Sequence, residues 1–174
     1  LFDKLKGIKE PEPGVAPVSS DELKQKLLAL NHDEVPFTVA AGAGGKDGDL
    51  VAEWKIVDAK WFEIFAEAGL EKTHKIYLSL DGGANEVRVL EESWDVEWRA
   101  GVPEISLSKE AFRGRTMGSK SFGTGYAFKG INPLDYGQVY NYKFDVSEMK
   151  DPIAKVVTGA GWSYKPVVTK GKLA

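Results

Sequence analysis

Residues 72–99 read KTHKIYLSLDGGANEVRVLEESWDVEWR, and this stretch decides the fold class. His74, Ile76, Leu78 and Leu80 recur at every second position, Asp81, Gly82 and Gly83 supply turn chemistry, and residues 86–90 return, which is the pattern of a β-hairpin. Residues 93–99 then set Trp94, Val96 and Trp98 on one side and Asp95, Glu97 and Arg99 on the other, as a half-buried strand does. Strands that follow one another with no helix between them do not build a doubly wound parallel sheet, which requires strands and helices to alternate. The stretch therefore predicts an α+β fold whose sheet is mostly antiparallel.

Working outward, the intervals 102–108, 111–117, 121–129 and 138–144 also read as strands. Asp151 followed by Pro152 reads as a helix start, with Ile153, Val156, Val157 and Ala160 on one face and Gly161 as the stop. A last strand is expected at 164–169. Upstream, Asp58 caps a helix whose apolar face is Trp61, Phe62, Ile64, Phe65 and Ala68, closed by Gly69. Residues 35–41 and 50–57 read as a strand pair around a loop holding Gly42, Gly44, Gly45 and Gly48. Ser19, Ser20 or Asp21 caps a helix carrying Leu23, Leu27, Leu28 and Leu30. The expectation is one α+β domain over 19–171, a mostly antiparallel sheet of about seven to nine strands packed with two or three helices.

The beginning of the chain reads differently. Leu1, Phe2, Leu5 and Ile8 fall at helical spacing with Lys4 and Lys6 between them, a short basic amphipathic segment. Pro11, Pro13, Gly14 and Pro17 then favour an extended spacer, so residues 1–18 are expected to stand apart from the core. The chain opens at Leu1 rather than Met, which leaves room for a processed leader upstream. Residues 172–174 read as a vector remnant and are set outside the functional reading.

Composition removes several classes of function. The chain has no cysteine, which excludes disulfides, thiolate catalysis, cysteine-ligated zinc and iron–sulfur clusters. Its formal charge of −3 gives no general attraction to nucleic acid or anionic lipid. The longest uncharged run, 35–45, is far short of the roughly 20 apolar residues that span a bilayer. No transmembrane segment is expected, and the chain reads as cytoplasmic, with at most weak peripheral membrane contact.

Nucleotide and hydrolase motifs fail on their details. Ser119 intervenes between Gly118 and Lys120, and Asp47 follows Gly45 and Lys46, so neither lysine sits in a Walker loop. No dinucleotide fingerprint, G-x-S-x-G elbow or H-E-x-x-H pair occurs. We assign no catalytic residue, metal or cofactor, and the chain reads as non-enzymatic, against the alternative of an enzyme that uses the carboxylates Asp95 and Glu97 with His74.

Three groups of residues remain as binding candidates. Trp54, Trp61, Trp94, Trp98 and Trp162 can line a pocket for a small molecule, against the plain alternative of core packing. Between 109 and 129 five basic residues stand against one acidic one. Among them Arg113, Arg115 and Lys120, interleaved with Phe112, Phe122, Tyr126 and Phe128, form an anion-binding candidate. Leu1, Phe2, Lys4, Leu5, Lys6 and Ile8 are the candidate tether to a membrane surface or a partner. Glu91, Glu92, Asp95 and Glu97 read as a solvated strand face, His74 as a hydrogen-bonded core histidine, and His32, Asp33 and Glu34 as a charged turn. The functional expectation is a binding or assembly module, with protein partners or self-association ahead of nucleic acid. A small-molecule carrier or sensor is the alternative.

Overall fold

In the computed structural model, which describes residues 7–56, 61, 65–67, 69–100, 102–107, 120–125 and 140–174, the hairpin at 72–99 is the centre of the main sheet. Strand β1 is Phe37–Ala41, β2 Leu50–Trp54, β3 Lys72–Asp81, β4 Glu86–Arg99 and β5 Val102–Leu107, and they lie antiparallel in that order. The turn after β3 is held by Asp81, whose carboxylate accepts from the backbone N–H groups of Gly83 and Ala84. β3 and β4 pair from Lys72 opposite Asp95 to Asp81 opposite Glu86. β4 is one uninterrupted strand that joins the two segments, 86–90 and 93–99, which the sequence reads separately.

The two ends of β4 have different neighbours on the side away from β3. Trp94–Arg99 pairs with β5, while Glu86–Leu90 pairs in parallel with β8, Ser163–Val167. Helix α2, Ser147–Gly159, leads into β8. It begins before the Asp151–Pro152 signal, because the buried residues Val146 and Met149 draw an extra turn into the core and leave Pro152 inside the helix. Among the described residues β6, Lys120–Gly125, and β7, Tyr140–Asp145, pair with each other alone, and the main sheet has six strands there against the seven to nine expected. Alternation marks a strand but not the sheet it joins. The interval 111–117 and residues 126–129 and 138–139 lie outside the described residues.

α1, Ser20–Leu28, starts at Ser19, whose backbone is extended and whose hydroxyl accepts from the Glu22 N–H at 3.2 Å. Leu23 and Leu27 of α1 and Ile153 and Val157 of α2 share one core with Leu50, Ala52, Ile76, Leu78, Val87 and Val89 of the sheet. The expected helix after Asp58 is described at 65–67. Trp61 and Phe65 are buried in the same core, and Gly69, at φ +62°, ends the turn. Its Asp58, Phe62, Ile64 and Ala68 lie outside the described residues. The opposite face of the sheet carries a smaller cluster, Tyr77, Leu90 and Leu173, the last from α3, Lys170–Leu173.

The proline-rich spacer is extended and hydrogen-bonded to the domain. Lys9 exchanges two backbone hydrogen bonds with Tyr164 (2.9 and 2.8 Å), Glu12 N–H donates to Thr158 (3.0 Å) and Val18 N–H to Ala160 (3.0 Å). Gly161, at φ +81°, lets Pro17 approach to where a Cβ would sit 2.7 Å from it. Among the described residues no helix is long and apolar enough to cross a membrane.

Candidate binding edge and groove

An open sheet has outer strands whose backbone groups face away from the sheet and template further pairing unless they are covered. Among the described residues, two of the three outer strands have outward backbone groups capped by another part of the chain. At β1 the Asn31 side chain donates to the Val39 carbonyl and accepts from the Val39 N–H, both at 2.7 Å, as a neighbouring strand would. At β8 the outer side of Tyr164 is bridged by Lys9, and Pro166, two residues on, has no N–H to offer.

β5 is different. Val102, Ile105 and Leu107 are 60%, 39% and 46% exposed. The N–H of Val96 donates to Glu71, on the β3 side of β4, so the odd-numbered residues of β4 face β5. The antiparallel register then turns the backbones of Val102, Glu104 and Ser106 inward and those of Pro103, Ile105 and Leu107 outward. Pro103 blunts one end. Ile105 and Leu107 present their N–H and C=O groups outward, with no strand pairing them among the described residues.

Beside this edge lies a groove of about 290 Å³ lined by Glu53, Trp54, Ile56, Thr73, Lys75, Trp94 and Ile105. The register places Glu53, Lys75, Trp94, Leu107 and Ile105 on one face of the sheet. The Lys75 ammonium sits 4.7 Å from the centre of the Trp94 ring and 3.6 Å from Glu53 Oε2. The Trp94 indole N–H is buried and finds no acceptor among the described residues. This volume is at the low end for a drug-sized ligand and ample for one large side chain. Ile105 belongs to both edge and groove, so a strand laid along β5 can set a side chain into the groove.

The five tryptophans do not share one pocket. Trp54 and Trp94 line the groove, Trp54 also meeting Phe65 edge to face at 6.2 Å. The indole N–H groups of Trp61, Trp98 and Trp162 donate to the backbone carbonyls of Asp33 (3.2 Å), Leu70 (2.8 Å) and Val18 (2.8 Å), pinning three loops to the core. Arg113 and Arg115 lie outside the described residues, as does the side chain of Lys120 in β6. Leu1, Phe2, Lys4, Leu5 and Lys6 also lie outside them, and Ile8 is half-buried.

The carboxylates are divided. Asp95 pairs with Lys72 at 3.0 Å, both half-buried, and Glu97 with Arg99 at 3.4 Å, both exposed. Glu91 and Glu92, expected in solvent, are buried instead on opposite faces of β4. Glu91 meets Lys150 of α2 at 2.9 Å, and Glu92 accepts from the Tyr77 hydroxyl at 2.9 Å. Burial, and then the adjacent carboxylate, push the Tyr77 phenol well above its ordinary range. His74 is buried with Nδ1 3.2 Å from Ser93 Oγ, the core position its alternation predicts. Asp95, Glu97 and His74 thus have separate partners.

Reading the sequence missed Ile105, Leu107, Thr73, Lys75 and Ile56. In VPEISL the alternation of Ile105 and Leu107 looks like that of any core-facing strand, and nothing local marks the strand as outermost. Compared with protein-family models, curated proteins and solved structures, the chain matches none.

Proposed function

We propose that this chain is a non-enzymatic binding and assembly module that takes an extended partner segment along β5, with one side chain of that segment in the Trp94 groove. The observation that carries this reading is the contrast between edges among the described residues: Asn31 caps β1 at Val39 and Lys9 caps β8 at Tyr164, while Ile105 and Leu107 of β5 have no outer partner and stand beside apolar side chains. Strand addition draws affinity from backbone hydrogen bonds and specificity from pockets for alternate side chains. Selection from a display library of random peptides tests it. The expected result is a consensus with apolar residues at alternate positions, bound by the wild type and lost in Ile105→Lys. Failure to enrich any peptide over that variant would overturn the reading.

The same proposal gives Leu1, Phe2, Lys4, Leu5, Lys6 and Ile8 the role of a weak tether to an anionic membrane surface. In support, Lys9, which follows the segment, is fixed to β8. Cosedimentation with anionic liposomes that is unchanged on deleting residues 1–7 would remove the tether from the proposal. A small-molecule carrier is the second reading, favoured by Trp54 and Trp94 meeting in one groove. A reproducible small-molecule adduct in native mass spectrometry, abolished by Trp94→Ala, is its signature.

A further inference from the structure

We infer that the segment fitted to β5 is β5 of a second copy of this chain, paired antiparallel about a two-fold axis at Ser106. This rests on the reading of β5 as the binding edge and names its partner.

The backbone restricts the register. The outward groups belong to residues 103, 105 and 107, and Pro103 has no N–H. Centring the pair on Ile105 would set Leu107 against Pro103 and leave the Leu107 carbonyl without a donor. Centring it on Ser106 sets Ile105 opposite Leu107 of the second copy and Leu107 opposite its Ile105. Each of these pairs exchanges two hydrogen bonds, so every outward backbone group of both residues is satisfied.

Side chains agree with that register. Ile105 and Leu107 lie on the groove face, so each Ile105 packs directly against the other copy's Leu107, the kind of cross-strand apolar pair that stabilises sheets. The face then continues from Trp94 and Leu107 of one copy to Ile105 and Val96 of the other. Charge is compatible as well. The paired positions 105, 106 and 107 are uncharged, and Glu104, next to them, is already 3.2 Å from Arg99 of its own copy. No like charges are brought opposite one another at the paired residues. A short strand contact falls well under the ~1,000 Å² of a durable interface, so the dimer is weak and exchanges quickly.

Sedimentation equilibrium of the purified chain from about 10 µM to about 1 mM covers the range in which so small an interface associates. The mean mass is expected to climb from that of one chain toward twice that value. Raising the salt should leave the climb intact or steepen it, because two copies of charge −3 repel weakly and salt screens that repulsion. Ile105→Lys and Leu107→Lys, each checked for an unchanged circular dichroism spectrum, should stay at the mass of one chain throughout. Val168→Lys, which alters an exposed apolar residue outside β5, should dimerise as the wild type does. A wild type of single-chain mass at 1 mM, or a dimer that survives both β5 lysines, overturns the inference. If the chain stays monomeric yet selects peptides that Ile105→Lys loses, the second copy is ruled out while β5 stands as the binding edge.

Discussion

Glu91 and Glu92 are neighbours in the chain and lie on opposite faces of a strand, so one partner cannot serve both. Lys150 serves the first and Tyr77 the second. Lys150→Met should cost about 3–5 kcal/mol, because it strands the Glu91 carboxylate in the interior, and Glu91→Leu added to it should recover most of that loss. Urea unfolding of the single and double variants checks both outcomes. Tyr77 gives a prediction in pH. The folded chain holds the phenol proton beyond the pH at which the unfolded chain releases it, near 10. Its stabilising contribution is therefore complete below about pH 10 and is lost as pH rises further. Tyr77→Phe should be less stable than the wild type by about 1–3 kcal/mol at neutral pH, since Glu92 loses its donor. That gap should narrow above about pH 10, and unfolding titrations at several alkaline pH values measure it. Neither partner was legible from sequence, because a carboxylate's burial depends on a donor that is distant along the chain.

At the scale of elements, local signals were read well where the competing structure was also local. The turn at Asp81, Gly82 and Gly83, the Ser19 cap and the β1–β2 pairing all arise within a few residues of their cause. α2 starts before its strongest local signal, Pro152, because the burial of Val146 and Met149 overrides that signal. Edge protection is an element-scale property too. Asn31 makes two 2.7 Å hydrogen bonds to Val39 that close β1. Asn31→Ala should lower stability by about 1–3 kcal/mol and give β1 an open edge, so that light scattering on prolonged incubation rises faster than for the wild type.

For the whole molecule, the sheet is covered unequally. One face holds the main core beneath α1 and α2, and the other holds a small cluster closed by α3. Lys170 fastens that closure, 2.9 Å from Asp47 and 4.8 Å from the centre of the Tyr77 ring. Leu173→Ala should cost about 2–5 kcal/mol as a fully buried side chain is lost. Leu107→Ala, on the exposed edge, should stay within about 0.5 kcal/mol of the wild type. Thermal unfolding of the two side by side separates a packing residue from one available for binding. The sequence by itself determined the α+β class, the antiparallel hairpin from residue 72 and the apolar faces of its main helices, because alternation, turn chemistry and caps act over a few residues. Only the tertiary structure decided that Glu91 and Glu92 are buried, that Trp54 and Trp94 line one groove while Trp61, Trp98 and Trp162 pin loops, and that β5 has no outer partner among the described residues. Each of those depends on which distant segment lies alongside, and period-2 alternation is the same for a strand in the middle of a sheet as for one at its margin.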